Sequence, residues 1–573
     1  MSEKENPLSD AVMDIPESDR QLAQKIRKRY TAGVAYKRSQ GYFDTWAEAD
    51  RFWNADQWPE PDEDTDKFPR PVTNHFASII EQKIASLVYD APDIHFEPQE
   101  PQPEQTTDDE AAELLTNVAK FQAHKLELDE LLSHGTRDAA LMGTGIWYFP
   151  WDNTIMGGSA VRETLFVGDI TGTEIDPADF FPGDPTDREI QSQPFILLAE
   201  RRPLDEVKEF YRRFSEVVDI IQPERMNSDT QVYDGQRNEV EETGYVDVVH
   251  MWDKEPDKEQ PGHKCVYYTV QCQGYIIRPR QKLYQHGLYP FSAFQWYPKR
   301  KSFFGKSEAV DLINNQKEIN HLDGIVLLSA YFTGMPQRRF RDGFVDERDL
   351  TNEPGGAIRD TSPPGPYWGV DYLQPPQMPG YPAVMRDKLE ASMKDASGVH
   401  EAFSGKAPGS DLNASAIIAL QEAAGVRIRG IQRRLYKATR DIARIWLAHW
   451  KEFCSESRLV RIAGEGSEAG YQWFRGTDYA DMAFDVLVQA GPSSPFSKSL
   501  YMSQLDKMLQ GQVIDADEYL ELLPADVFPK VQQIIEKRKE KQEQMMEQQM
   551  MMQQQIPEQM GQMPGMPGDM GAG

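Results

Sequence analysis

Apolar residues recur at spacings of three and four along several long windows of this chain, and that period predicts helices. Ile79, Ile80, Ile84, Leu87 and Val88 follow it. Helices are also expected from Asp19, around residues 46–52, and from about Asp108 to Leu132, ending before Gly135. The segment from Gly143 to Gly145 then breaks the chain ahead of an aromatic strand over 146–151. From there to about Tyr297 the pattern shortens to strands and turns, with strands expected over 246–252 and 266–270 and at Ile276 and Ile277 beyond a turn at Gly274. One helix, 204–218, interrupts them. The class expected is α+β.

The second half reads differently. Residues 307–333 predict a helix about 40 Å long, with Leu312, Ile319, Leu322 and Val326 on one side and Gly334 and Pro336 as its stop. Residues 335–379 hold eight Pro and five Gly in 45 positions. That density forbids long helices, so a small strand-and-loop module is expected, with strands over 337–341 and 357–359. A second helix starts near Pro382 and ends at Gly398, with Met385, Leu389, Met393 and Ala396 on one face. A polar, glycine-rich loop follows, then the longest helix, 414–453, about 60 Å long. Its apolar face is Ile428, Ile431, Leu435, Ala438, Ile442 and Ile445, and Gly425 and Gly430 predict a bend. Strands return over 458–490. Helices follow over 498–509, 517–522 and 528–555, before a tail in which residues 541–573 hold nine Met and nine Gln.

Composition narrows the class. The 573 residues suggest roughly four folded units. At 39% hydrophobic and 10% aromatic the chain can bury real cores. Its longest near-apolar run, 324–332, is far short of the ~20 residues that span a bilayer. Residues 1–10 are polar, with no secretory apolar region, and three cysteines cannot make a disulfide framework. A soluble intracellular protein is expected. The net charge of −30 argues against a protein that coats nucleic acid, where affinity comes from neutralising phosphates.

Catalytic motifs fail on inspection. Gly305, Lys306 and Ser307 resemble the end of a phosphate-binding loop, but Arg300 stands where its first glycine belongs. Gly405 and Lys406 fail likewise, with His400 at that place and Ala407 after the lysine. Gly305 to Ser307 is instead expected to be a helix-entry turn capped by Ser307. His400 and Glu401 begin like a zinc-protease motif, but Ser404 occupies the position of the second histidine. Cys265 and Cys272 read as packed thiols. No catalytic centre, metal or cofactor is expected.

Charge segregation is more telling. Residues 427–451 carry eight basic residues and one acid, Asp441, whereas residues 50–113 carry seventeen acids and four bases. The basic stripe faces either DNA or acidic surface on an adjacent element or a neighbouring subunit, and the acidity elsewhere favours the second.

Several segments together resemble the portal proteins of tailed double-stranded DNA bacteriophages, nearest the large type of short-tailed phages. Residues 50–58 (DRFWNADQW) are similar to that family's aromatic signature, with Ala55 replacing the usual glycine. Residues 74–98, Asp138 with Gly143 to Gly145, 176–185, Gln316 with Asn320, 396–399 with Gly405, and the helix from Asn413 also correspond, covering most of residues 45–455.

Residues 1–16, polar and carrying Pro7 and Pro16, are expected to be a flexible arm, and the resemblance implies a wing from 17–305 and 414–490. It implies stem helices over 306–334 and 380–400, a clip over 335–379 and a channel loop over 401–413. A helical crown over 491–555 and a disordered tail over 556–573 would complete the chain. It further implies a dodecameric ring at one capsid vertex of the virion, assembled in the host bacterial cytoplasm, which is not an enzyme and meets no membrane. Double-stranded DNA would pass through it, sequence-independently and transiently, during packaging and ejection. The terminase large subunit, a head–tail adaptor, and the major capsid and scaffolding proteins would be partners. Lys406, Ser404, Ser410 and Asn413 become candidate DNA-channel contacts, and Arg427, Arg433, Arg434, Lys437, Arg440 and Arg444 candidate subunit-interface residues. The competing classes are an acidic non-enzymatic scaffold and a nucleic-acid-dependent ATPase.

Overall fold

The computed structural model describes residues 15–61, 68–88, 92–99, 106–158, 165–223, 244–257, 262–335, 338–340, 343–346, 348, 350, 359–364, 370–372, 380–398, 426–461, 470–489, 502, 505–511, 514 and 519. Two compact units divide the chain, Met1–Arg458 with Arg475–Gln489, and Leu459–Phe474 with Ala490–Gly573.

The first unit opens with α1 (Glu17–Ser39), which turns at Gly41 (φ +67°) into α2 (Tyr42–Trp53). Tyr42 and Trp46 stack at 5.2 Å between centroids, and the Trp46 Nε1 donates to the Met142 carbonyl at 2.8 Å. Next come α3 (His75–Val88), β1 (Asp93–Pro98), α4 (Thr106–Lys125) and α5 (Leu128–Met142). The single helix expected over 108–132 is therefore two. Glu127 takes a left-handed conformation (φ +50°) between them, and Leu128 turns into the core. Gly135 lies inside α5 rather than stopping it. A Cβ there would sit 2.5 Å from the Trp147 ring, whose Nε1 donates to Leu131 O, so glycine serves close packing. The real stop is Gly143, left-handed at φ +92°.

The aromatic segment 146–151 divides at Phe149 and Pro150 into β2 (Thr144–Tyr148) and β3 (Trp151–Gly157). Then follow β4 (Phe166–Ile170), β5 (Thr173–Ile175), β6 (Phe180–Pro182), β7 (Phe195–Pro203) and α6 (Leu204–Tyr211). α6 stops seven residues short of the expected helix end, and a 3₁₀ turn (Glu216–Ile220) replaces the rest because the Ser215 hydroxyl caps Val217 N. β8 (Tyr245–Pro256), β9 (Lys264–Cys272), β10 (Tyr275–Tyr284) and β11 (Phe291–Gln295) complete the strands before the long helices.

Two antiparallel sheets form the body, one in the order β10-β9-β8-β7-β6 and one in the order β11-β2-β5. The turn between β9 and β10 holds Gln273 at φ +51° and Gly274 at φ +83°, the two-residue primed geometry that suits the twist of a hairpin. Cys265 and Cys272 bracket β9 as buried free thiols. The chain continues through α7 (Ala309–Gly334), β12 (Arg338–Phe340), β13 (Val370–Tyr372), α8 (Tyr381–Ser397) and α9 (Val426–Phe453). β14 (Arg458–Arg461) and β15 (Tyr471–Phe474) pair as a ribbon, and residues 505–510 of the second unit are helical. The last strand, β16 (Phe484–Gln489), returns to the first unit and pairs with β1 from Asp93↔Gln489 to Pro98↔Phe484. Mixed helix and strand content agrees with the α+β expectation. Among the described residues, no helix is long and apolar enough to cross a membrane.

Candidate functional site

The pair α7 and α8, with the strand module between them, is the most distinctive part of the first unit, and its base is built from polar groups buried in the body. The Lys83 ammonium lies 2.7 Å from the Glu308 carboxylate, both almost fully buried. Trp296 Nε1 and the Tyr297 hydroxyl donate to the second Glu308 oxygen at 2.8 and 2.9 Å. The Glu308 amide donates to Ala140 O, which ties the foot of α7 to the end of α5. Below it two backbones cross so closely that a Cβ on Gly305 would lie 2.3 Å from Gly143 O. Gly305 is thus needed for close approach, and Glu308, not Ser307, occupies the capping position, without a side-chain cap bond. About three turns further along α7, Asn320 donates to Gln57 Oε1 at 2.7 Å and accepts from Gln316 Nε2 at 2.8 Å. Gln316 also bonds the backbones of Thr73 and Phe76, so α7 is held against the start of α3.

Buried acids lie beside this base. Asp138 of α5 is pushed up to about 7, first by burial and then by Asp176 and Glu174. Asp176 and Asp179 are raised too, again chiefly by burial, while burial lowers Lys37. The Lys37 ammonium donates to the carbonyls of Pro177 and Ala178 at 2.7 Å each and lies 3.7 Å from the Phe181 ring centroid. A carboxyl raised in the folded state favours folding below its unfolded value, and that contribution is lost as pH rises through about 7. Asp138→Asn should therefore raise the heat-unfolding midpoint by about 2–4 °C at pH 8, with a smaller gain at pH 5. An equal gain at both pH values contradicts the assignment.

α8 packs along α7. Arg386 meets Asp323 at 2.8 Å and Glu390 at 3.3 Å, and Lys394 meets Glu390 at 2.8 Å. Pro382 occupies the first turn of α8, and Gly398 (φ +77°) closes its end. Farther from the base, apolar side chains face outward. Tyr331 is 53% exposed and Val384 66%, with Val326, Phe332, Met335 and Tyr381 exposed as well. In the module, β12 pairs with β13 from Arg338↔Tyr372 to Phe340↔Val370. Residues 357 and 358 lie outside the described residues, and Arg359 is not in a strand.

α9 lies over the smaller sheet. Ser292 Oγ donates to Ala438 O at 2.9 Å, and His449 Nε2 contacts Phe149 O at 3.0 Å. Burial pushes His449 down to about 4, so its imidazole is neutral at pH 7. Several basic residues of α9 are engaged within the chain. Arg434 donates to the carbonyls of Gln295 and Trp296 within its own chain. Lys437 pairs with Glu189, and Arg444 with Asp441 at 3.5 Å. Arg440 is half-buried, and Arg433 and Arg444 are exposed. The helix includes Arg427, whose side chain lies outside the described residues. Lys406, Ser404, Ser410 and Asn413, residues 414–425 of the expected long helix, and nearly all of the expected crown helices also lie outside them.

Sequence reasoning missed the Lys83–Glu308 pair. The signal was present, since a lysine at residue 83 falls between Ile80 and Ile84 on the apolar stripe of α3. Among the described residues no group of three or more His, Cys, Asp or Glu side chains is arranged to hold a metal ion.

Residues 337–569 match the phage P22-like portal protein family. No curated protein matches the chain. The family match overlaps the portal-like segments noted in the sequence over 337–455 and extends beyond them to the C-terminal region.

Proposed function

We propose, from the premise that this chain carries a phage P22-like portal protein domain, that it closes with eleven further copies into a ring through which the phage genome passes. A portal role places it in the virion, at the capsid. The observation that carries the proposal is that the family match begins in the module directly after α7 and runs on through α8 and α9, while α7 itself is rooted in the body by a buried ion pair and a hydrogen-bonded polar chain. Such rooting suits a part that must hold its angle while force acts on its far end. In this reading α7 and α8 are the stem, the β12–β13 module is the clip, and residues 401–413 narrow the channel. The clip would dock the terminase large subunit and later a head–tail adaptor, and the wing would meet capsid and scaffolding proteins.

A passage for a long duplex must not grip it. Twelve copies at −30 give a ring charge of about −360, which repels phosphates except where lysines offset it locally. Each neutralised phosphate adds salt-sensitive affinity, so strong contacts would stall sliding. Lys406, with Ser404, Ser410 and Asn413 beside it, would make weak, sequence-blind contacts to the backbone. Arg433 and Arg444, exposed on α9, would face the acidic 50–113 segment of the next copy.

Lys406→Glu tests the channel. Rings should form normally, while DNA packaged per particle, measured by quantitative extraction, should fall severalfold. Unchanged packaging and retention would remove Lys406 from the channel contacts. An acidic scaffold is the second reading, and it predicts small particles instead of rings.

A further inference from the structure

Two cavities along α1 meet at a single side chain. The first, about 280 Å³, lies between Lys25 and Arg29 of α1 and the strand residues Asp253, Lys254, Glu255 and Arg280. The second, about 210 Å³, is walled by Tyr36, Phe181, Phe195, Leu197 and Phe304, with Arg29 at its rim. A charged cavity and an aromatic one thus adjoin through Arg29 along α1, and together they offer a candidate groove.

Arg29 feels the Asp253 carboxylate of its own chain without pairing with it directly among the described residues. Its guanidinium lies 3.9 Å from the Phe195 ring centroid and donates to Met251 Sδ at 3.4 Å, but it makes no ion pair among the described residues. Lys25 is exposed and likewise has no ion pair there. Arg280 is engaged by Asp253 at 2.6 Å and Glu255 at 3.0 Å, and Lys254 donates to Gln191 O at 2.6 Å. The four cations outnumber the two acids in a chain whose net charge is −30. Lys25 to Tyr36 spans eleven helical steps, about 16 Å, the length of roughly five extended residues.

We propose that this groove takes an extended acidic peptide from another polypeptide. A carboxylate would be held by Arg29 and Lys25, and an aromatic or long aliphatic side chain would enter between Tyr36 and Phe304. Guanidinium and carboxylate match in charge and fork geometry, which supplies orientation. The ring-lined half supplies apolar burial that a carboxylate alone cannot use. A nucleic acid duplex offers phosphates but no apolar side chain, and the Asp253 and Glu255 carboxylates oppose it. The groove lies outside the residues matched to the portal family, so its occupancy is separable from the channel.

Fluorescence anisotropy on the full chain tests this with labelled peptides Asp-Glu-Gly-Ser-Phe and Phe-Ser-Gly-Glu-Asp, beside versions in which lysines replace the acids. Lys25→Glu alters the charged half and Ala32→Trp plugs the aromatic half, and both positions are exposed, so the fold is kept. One acidic peptide should bind, its lysine counterpart should not, and each variant should weaken binding about fivefold or more. The proposal is overturned if neither acidic peptide binds below about 1 mM, or if binding ignores both variants. It is equally overturned if a duplex oligonucleotide binds with sensitivity to Lys25→Glu and none to Ala32→Trp, which would mark a general polyanion surface.

Discussion

Lys83→Met should destabilise the chain by about 3–5 kcal/mol, since it leaves the Glu308 carboxylate buried without its cation. The Trp296 and Tyr297 donors remain, but two neutral hydrogen bonds do not replace an ammonium at 2.7 Å. The double variant Lys83→Met with Glu308→Gln should recover much of the loss. Its amide oxygen still accepts from Trp296 and Tyr297, and no buried charge is left over. Denaturant unfolding of the two single variants and the double completes the cycle. A single variant costing less than about 1 kcal/mol, or a double as damaged as the single, would mean the pair does not hold the foot of α7.

The second large effect is expected at the outer end of the α7–α8 pair. Tyr331 and Val384 stand 53% and 66% exposed, at the outer end of two helices that pack along each other and leave their side chains half-buried or exposed there. An exposed apolar group of this kind asks for cover, and in the proposed ring the neighbouring copies supply it. Tyr331→Glu with Val384→Glu should leave the heat-unfolding midpoint of the single chain nearly unchanged, because both sites are open to water. The ring should be lost, since each closing contact would bury unpaired carboxylates at about 3–5 kcal/mol apiece. Sedimentation would then show small species where the proposal expects one large species from the unaltered protein. Intact rings from the doubly substituted chain would contradict the burial of this surface between copies.

Much of the architecture was legible because its signals are local. α7 ends at Gly334, Pro382 opens the first turn of α8 and Gly398 closes it in a left-handed conformation, and the observed α7 and α8 begin and end within two residues of the expectation. The errors arose where a residue's meaning was tertiary. Gly135 reads as a helix stop until Trp147 is seen against it, and the break at Glu127 carries no glycine to announce it. Ser307 has the chemistry of a cap, yet the Glu308 carboxylate is drawn to Lys83, more than two hundred residues away in the sequence. On α9 one of the acidic partners expected for the charge stripe lies on an adjacent element of the same chain. Helical spacing predicts which residues share a face, but Arg434 folds back to carbonyls on the strand side and Lys437 finds Glu189. The candidate channel residues are legible only through the family resemblance, because a glycine-rich loop with one lysine has no pattern of its own.

The most direct measurement of the central claim is the native mass of the purified protein, taken together with electron micrographs of the same sample. The proposal predicts a particle of about twelve times 65.5 kDa with an open hole along its axis. Particles of one or two chains with no central opening would contradict it.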